Sequence, residues 1–360
     1  MYHLLTSKGS TEGIGGCEVQ TLFIANEFAR RNYDVSAITF SFDHDTLKEQ
    51  PPFTVIEAFD REAGLPILGF YYPRLFRLWK ALRKADADVY YINVSGFLLA
   101  PVVAFAKAHG RRVVFWGASS TDFDPGKIRL NRRDKWLFFW GLKRCDVVFA
   151  QSEFQKELVR KYFGREVRVL YNAIPGKNST NGSRKIILWV GGVRRVKNPH
   201  HFVELASKFP NERFVLVGGL KPVTDDEMRE YYSRLLDRAK QVPNLEMTGY
   251  VPLDEADRYF EEAKVLVNTS ELEGFPLAFL QAWARGIPVL SFVGVDDIVE
   301  KNKLGLIATD PDDMARKLDD MLSSKLSFSS QHIKTFFDAN CTVERAVDVF
   351  EETLGLAARN

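Results

Sequence analysis

The stretch TSELEGFPLAFLQAWARGIPVLSF, residues 269–292, decides the fold of this chain. Glu273 precedes a Gly-Phe-Pro turn, and an apolar run with helical spacing follows until Gly286 and Pro288 end it. The next run, IPVLSF, predicts a buried β-strand. A loop, a helix and a strand in this order form the repeating unit of a parallel sheet that is covered by helices.

The predicted helix start in this stretch suits an anion. Pro276 fits a first helical turn, where a missing N–H costs nothing. The free N–H groups around Phe275 to Leu277 form a positive end that favours phosphate. Glu273 lies just outside that end, and Gln281 lies inside the helix, roughly 7 Å further along its axis. From spacing alone, an ordinary strand-loop-helix with a surface glutamate is an equal alternative.

The alternation of short β runs and amphipathic helices continues along the whole chain, so the predicted fold class is α/β. The alternating strands and helices form two series, residues 1–173 and 186–341, which predict two Rossmann-like doubly wound domains. The segment IPGKNSTNGSRK, residues 174–185, is predicted to be the linker because it is rich in Gly, Pro, Ser and Asn. We expect the last helix, within 342–360, to pack back on the first domain. Ligands bind outside the carboxyl ends of such strands, so we expect the two domains to face each other across a cleft.

Composition excludes several classes of protein. The 360 residues are 46% hydrophobic and 27% charged, as in a soluble globular protein. The longest apolar runs, such as FLLAPVVAFA at 97–106, reach about half the length of a bilayer span, and no signal peptide is recognisable. Three scattered cysteines form neither a disulfide framework nor a zinc ligand set, so we expect a cytoplasmic location. The net charge of +2 and the absence of a nucleic-acid motif argue against nucleic acid as a partner.

Taken together, these segments resemble the retaining glycosyltransferases of family 4, the glycosyl transferases group 1, which have the GT-B fold. SELEGFPLAFLQAWARGIPVLSF resembles the signature segment of that family, and LWVGGVRRVKNPHHFVELASKFPNERFVLVGG resembles its phosphate-binding loop. GIGGCEVQTLFIANEFARRNYDV resembles its N-terminal glycine-rich loop, and MTGYVPLDEADRYFEEAKVLVNTS its nucleotide-base segment. The resemblance covers nearly the whole chain in the correct order.

The resemblance implies a donor site. Glu273 matches the glutamate that contacts the donor sugar, and Lys197 matches the lysine that grips the diphosphate. The usual arginine is Gly192 here, so Arg194 or Arg195 is expected to substitute, unless both are simply solvated charges. The implied donor-binding set is Gly15, Gly16, Gly192, Arg194, Arg195, Lys197, Tyr250, Val251, Glu273, Gly274, Phe275, Pro276, Leu277 and Gln281.

Two positions depart from the family pattern. Gln281 stands where a second glutamate normally accepts hydrogen bonds from the ribose hydroxyls. The histidine that many members have after the strand VVFWGA is missing, and Asp122 is one of the polar residues there. Asp122 either contacts sugar or acceptor hydroxyls or caps a helix. The predicted catalytic residues are therefore Glu273, Lys197 and Asp122.

Two segments combine cations with aromatic residues, which suits an interface with anionic lipids. We expect them to bind a membrane or a lipid-linked acceptor. The alternative is that the aromatic residues belong to the core and the cations are merely solvated. The predicted contacts are Arg74, Arg77, Lys80, Arg132, Arg133, Trp136 and Trp140.

The resemblance implies a retaining transfer of a hexose or N-acetylhexosamine from a nucleotide diphosphate sugar, with a UDP sugar as the expected donor. The expected acceptor is a glycan or a polyprenyl-linked glycan of the cell envelope, so the enzyme would lie in the cytoplasm or on the inner face of its membrane. The resemblance implies no cofactor and no metal, because helix ends and Lys or Arg side chains offset the charge of the leaving diphosphate, and the sequence shows no metal-spaced His/Asp cluster. Two alternatives stay open: a catalytically weak nucleotide-sugar-binding protein, or another GT-B enzyme such as a nucleotide-sugar 2-epimerase.

Overall fold

The computed structural model describes residues 16–41, 50–59, 70–177, 184–220 and 225–356. These residues form two compact units. The first unit runs to Asn172 and resumes at Val343, and the second runs from Ala173 to Thr342. The described ends of the predicted linker therefore belong to the second unit, since Ile174 is 5% exposed and bridges to Thr342. The predicted strand YHLLTS and the glycine-rich loop up to Gly15 lie outside the described residues.

The first unit has a four-stranded parallel sheet in the order β3-β4-β5-β6, and β1 pairs with β2 in a separate parallel pair. A 3-10 turn, Ser120–Phe123, follows β4. The strands are β1 (Ser36–Phe40), β2 (Thr54–Phe59), β3 (Val89–Ile92), β4 (Arg112–Trp116), β5 (Val147–Ala150) and β6 (Arg168–Val169). The helices are α1 (Gly16–Arg30), α2 (Phe76–Ala85), α3 (Leu99–Ala108), α4 (Arg132–Leu142) and α5 (Glu153–Phe163), with α13 (Val343–Leu354) from the end of the chain.

The second unit is built on a six-stranded parallel sheet in the order β12-β11-β10-β7-β8-β9. The strands are β7 (Ile186–Val190), β8 (Arg213–Val217), β9 (Leu245–Gly249), β10 (Ala263–Asn268), β11 (Val289–Ser291) and β12 (Gly305–Ile307). The helices are α6 (Pro199–Lys208), α7 (Asp226–Ala239), α8 (Leu253–Glu261), α9 (Leu277–Trp283), α10 (Ile298–Lys301), α11 (Pro311–Leu322) and α12 (Ser330–Asn340).

The strand order of the second unit reverses direction between β7 and β10. Successive strands step outward from β7 to β9, and the chain then returns to β10 beside β7 and steps outward on the other side. This is the Rossmann order, and a ligand binds where the order reverses, outside the carboxyl ends of the two central strands. Topology alone therefore marks the loops after Val190 and Asn268.

The last helix, α13, packs against α1 in the first unit. Its apolar face is buried, and the Phe350 ring meets the Phe28 ring of α1 edge to face with centroids 5.8 Å apart. Arg31, just after α1, donates hydrogen bonds of 2.8 Å to Asp348 and to Glu351. The amphipathic pattern of the sequence VERAVDVFEETL thus anchors the end of the chain on the first unit.

Candidate functional site

The two loops at the switch point of the second unit hold Lys197 and Glu273 together. Lys197 belongs to a 3-10 turn, Arg195–Lys197, that follows β7, and Glu273 lies between β10 and α9. Because β7 and β10 are parallel neighbours, their carboxyl ends lie at the same edge of the sheet. Two residues that are 76 positions apart in the chain thereby meet at the place where topology predicts a ligand.

Lys197 and Glu273 form a partly buried ion pair. The Lys197 Nζ lies 2.7 Å from the Glu273 Oε1, and the two side chains are 15% and 16% exposed. The Ser270 hydroxyl donates a second hydrogen bond of 2.7 Å to the same Oε1. No residue that the structure describes donates to Oε2, so this oxygen can accept a hydrogen bond from a ligand.

Hydrogen bonds from the core fix the relative position of the two loops. The buried Trp189 indole donates to the Thr269 Oγ1 at 3.0 Å, and the Thr269 hydroxyl donates to the Lys197 carbonyl at 2.7 Å. The Glu271 amide donates to the Val196 carbonyl at 2.9 Å. The loop after β10 thus supports the loop after β7 through both side-chain and backbone contacts, which preorganises the site.

Glycine is required where the backbone loops approach each other. Gly218 has a φ of +156°, and a Cβ at this position would lie 1.8 Å from the Gly191 carbonyl oxygen. A Cβ on Gly191 would lie 3.3 Å from the Lys197 Cδ, so the lysine stem already packs on this glycine. In contrast, a Cβ on Gly192 would meet nothing within 4 Å. Gly192 is therefore not required for close packing inside the unit.

The two arginines of the loop after β7 differ in their contacts. Arg195 is exposed, forms an ion pair of 2.7 Å with Glu227 and lies over the Tyr231 ring. Arg194 is also exposed, and its side chain makes no ion pair with the part of the chain that the structure describes. Of the two, Arg194 is the cation that a ligand can recruit without displacing a carboxylate.

The signature segment folds as predicted, with a shift of one residue at the helix start. Pro276 precedes α9 as its N-cap, with φ −65° and ψ 124°, and the first helical residue is Leu277. No side chain caps this end, and the Phe279 N–H donates to the Pro276 carbonyl, so the N–H groups of Leu277 and Ala278 stay available. Phe275 is 4% exposed and packs edge to face on Trp283, which holds the turn against the core.

Gln281 and the predicted base-binding residues lie on the same unit. Gln281 is half-buried on α9, and its side chain makes no hydrogen bond to the described residues. Tyr250 is 45% exposed and Val251 half-buried, directly after β9. A Cβ on Gly219 would lie 2.8 Å from the Tyr250 amide nitrogen, so the backbones after β8 and β9 approach each other closely here.

In the first unit the structure gives Asp122 a capping role. Its Oδ2 accepts hydrogen bonds from the Ala118 and Ser119 amides at 2.8 and 2.9 Å, in a capping box of the 3-10 turn. Asp122 is 5% exposed, and burial raises its pKa. The alternative of a cap is thus the one that the contacts favour.

Burial and the neighbouring Asp122 carboxylate also raise the pKa of the Cys17 thiol to about 11, so Cys17 is protonated at neutral pH.

The remaining predicted positions in the first unit are only partly described. Gly15 lies outside the described residues, and Gly16 is the first residue of α1. Trp136 on α4 is 65% exposed, whereas Trp140 is half-buried with the Arg144 guanidinium 4.5 Å from its ring centroid. Arg74 is half-buried, and the other predicted cations Arg77, Lys80, Arg132 and Arg133 are exposed.

Sequence reasoning did not identify Trp189, Thr269 and Ser270 as site residues. All three are buried and hold the ion pair or its loop by hydrogen bonds. A signal was available, since two consecutive hydroxyl residues follow a strand of buried apolar residues in VLVNTS.

Among the described residues, no group of three or more His, Cys, Asp or Glu side chains is arranged to hold a metal ion. No described helix is long and apolar enough to cross a membrane.

Comparison with known proteins identifies the family. Residues 14–175 match the family described as Glycosyltransferase Family 4, and residues 171–334 match the family described as Glycosyl transferases group 1. An uncharacterized glycosyltransferase from Haemophilus influenzae is 22% identical over 328 residues, which is 86% of this chain and 87% of that protein.

Two further similarities extend this comparison. A phosphatidylinositol N-acetylglucosaminyltransferase component from Arabidopsis thaliana is 34% identical over 235 residues, which is 61% of this chain and 50% of that protein. The crystal structure of Anabaena HepE in complex with UDP has a TM-score of 0.76 at 16% identity and covers 96% of this chain and 98% of that protein. The predicted GT-B fold and family are confirmed: the chain is a glycosyltransferase that belongs to family 4, among the glycosyl transferases group 1.

Proposed function

We propose that this glycosyltransferase takes a hexose or N-acetylhexosamine from a UDP sugar and transfers it, with retention of configuration, to a glycan or lipid-linked glycan. The observation that carries the proposal is the Lys197–Glu273 pair at the switch point of the Rossmann sheet. A cation and an accepting carboxylate side by side match a diphosphate joined to a sugar. The Anabaena neighbour was solved with UDP and with UDP-glucose, which supports a nucleotide sugar as the donor.

Each residue of the site has a distinct task in this proposal. Lys197 and the open N–H groups at the start of α9 offset the charge of the leaving diphosphate, so the mechanism needs no metal ion. Glu273 accepts a hydrogen bond from a donor sugar hydroxyl through its Oε2. Gln281 accepts one from a ribose hydroxyl through its amide oxygen.

We infer retention from the family resemblance, and no enzymic nucleophile is assigned among the donor-binding residues, so the proposed reaction takes place on one face of the sugar. The acceptor hydroxyl attacks the anomeric carbon on the face that the diphosphate leaves. The β-phosphate takes the proton of that hydroxyl as the glycosidic bond forms. Lys197 stabilises the negative charge while the carbon–oxygen bond to the phosphate breaks.

Binding and turnover are tested separately with the purified chain. Thermal shifts with UDP, GDP and ADP show which nucleotide base the site prefers, and isothermal titration gives the affinity for that nucleotide. The chain is then incubated with UDP-glucose, UDP-galactose or UDP-N-acetylglucosamine and candidate acceptors, and NMR determines the configuration of the product. An inverted product contradicts retention, and no shift with any nucleotide diphosphate contradicts the donor proposal.

The same incubations separate the two alternatives. Binding without transfer or donor hydrolysis indicates a weak or inactive nucleotide-sugar-binding protein. Epimer formation from UDP-N-acetylglucosamine alone indicates a 2-epimerase. Glu273→Ala is expected to lose nearly all transfer activity if the proposed reaction is correct.

The acceptor side of the proposal rests on a basic surface of the first unit. Helices α2 and α4 both pack against α3. No described residue forms an ion pair with the exposed cations Arg77, Lys80, Arg83, Lys84, Arg132 and Lys143. With the exposed Trp136, these cations suit the anionic surface of a membrane on which a lipid-linked acceptor lies. The Arabidopsis relative is named for a phosphatidylinositol acceptor, which agrees with this choice.

Sedimentation with vesicles tests the membrane contact. Each cation near an anionic surface contributes about 1 kcal/mol, so the variant Arg77→Gln/Lys80→Gln/Arg83→Gln should lose roughly a hundredfold in affinity for vesicles that contain phosphatidylglycerol. A matched variant with three neutralised cations on α7, Arg229→Gln/Arg234→Gln/Arg238→Gln, should keep wild-type binding. Equal binding to neutral and anionic vesicles contradicts the proposal.

A further inference from the structure

Ser270 makes a contact that the proposed roles of Lys197 and Glu273 leave unexplained. It lies two residues beyond the end of β10 and is 1% exposed, so its hydroxyl is buried beside the ion pair. The hydroxyl donates to the Glu273 Oε1 at 2.7 Å, and the Ser270 amide donates to the Asn268 Oδ1 at 2.9 Å. Both the side chain and the backbone of Ser270 are therefore held in place at the edge of the sheet.

The two donors to Glu273 differ in how firmly they are held. Lys197 carries its ammonium on a flexible stem and can exchange one anionic partner for another. A bound diphosphate competes with Glu273 for this ammonium, because phosphate oxygens are strong acceptors of charged hydrogen bonds. Ser270 has a short side chain in a buried position, so its hydrogen bond to Glu273 does not depend on where Lys197 points.

We propose that Ser270 is a positioning residue that keeps the Glu273 carboxylate oriented toward the donor sugar when Lys197 turns to the diphosphate. Ser270 occupies Oε1, so Oε2 is directed to a sugar hydroxyl. The inference rests on the proposed function, since it assumes that Lys197 binds the diphosphate and Glu273 the sugar.

Ser270→Ala tests this role because it removes one oxygen and leaves every charge in place. UDP carries the diphosphate without the sugar, so its affinity should change less than twofold. We expect the affinity for the UDP sugar and kcat to fall on the order of tenfold to a hundredfold, the range of one hydrogen bond to a charged group. Ser270→Thr restores the hydroxyl and should recover most of kcat.

Ser291→Ala is the matched control. Ser291 is fully buried at the end of β11, pairs across the strands with Asn268, and its hydroxyl bonds only to the Val293 backbone among described residues. Ser291→Ala removes the same atom at the same edge of the sheet, but Ser291 does not contact Glu273.

Three outcomes overturn the inference, and they can be distinguished. If Ser270→Ala and Ser291→Ala have equal kcat, Ser270 does not position Glu273. If Ser270→Ala weakens UDP as much as the UDP sugar, its role is structural. If the wild-type chain binds no UDP in the same titrations, the proposed function itself is wrong.

Discussion

The most direct test of the site is the change Lys197→Met. Methionine keeps the unbranched stem that packs on Gly191 and removes only the ammonium group. The Lys197 side chain is 15% exposed, so its charge acts in a partly desolvated environment. A hydrogen bond to a charged group is worth about 1.5–3 kcal/mol, which corresponds to a loss of roughly 10- to 150-fold in the affinity for UDP.

The effect on stability should be smaller than for a fully buried pair. Removing one partner of a fully buried pair costs about 3–5 kcal/mol. In Lys197→Met, Glu273 keeps its hydrogen bond from Ser270 and is 16% exposed. We therefore expect the variant to fold, so the loss of UDP affinity can be measured on folded protein by isothermal titration at physiological ionic strength.

Lys208→Met is the control for this change. The Lys208 Nζ lies 2.7 Å from the Asp312 carboxylate in the same unit, which is the same distance as in the Lys197 pair. Lys208 is 46% exposed and lies at the far end of α6, so this variant should bind UDP like the wild type. The reasoning is refuted if Lys197→Met binds UDP within twofold of the wild type, or if Lys208→Met loses as much affinity.

Three further changes have expected outcomes. Gln281→Glu should change donor affinity by less than about tenfold, because both side chains accept a ribose hydroxyl; a thousandfold gain in activity would show that the wild-type site is degenerate. Arg31→Met should destabilise the chain by about 1.5–3 kcal/mol, less than for a fully buried pair, because the carboxylates of α1 and α13 lose their shared cation while Glu27 keeps Arg30. Burial opposes ionisation of Glu27, yet hydrogen bonds from Arg30 and Arg31 outweigh burial and lower the pKa of Glu27 below its usual value of 4.5. The stabilisation by these ion pairs is therefore present above about pH 4.5 and is lost as the pH falls further. Gly218→Ala should abolish soluble expression, because the new Cβ would overlap the Gly191 carbonyl oxygen.

The fold was predictable because its signals are local. Most strands of the second unit are short apolar runs, most of its helices have a polar face, and the signature segment carries its own stop at Gly286, whose φ is +66°. Gly286 is also needed for packing, since a Cβ there would lie 2.4 Å from the Ser330 carbonyl oxygen. The sequence shows a glycine that ends a helix, whereas only the structure shows the neighbour that excludes any other residue.

The site was predictable only in part, and the reason is the kind of contact involved. Lys197 and Glu273 were identified by family resemblance, and their role in binding a donor stays a prediction. The Thr269 hydroxyl donates to the Lys197 backbone carbonyl, and the Ser270 hydroxyl donates to the Glu273 Oε1, which also accepts a hydrogen bond from Lys197. Both residues follow the last residue of β10, so such contacts depend on where β10 ends beside β7. The sheet therefore fixes the geometry of the ion pair, and the residues that follow β10 are as specific to the site as the charged residues themselves.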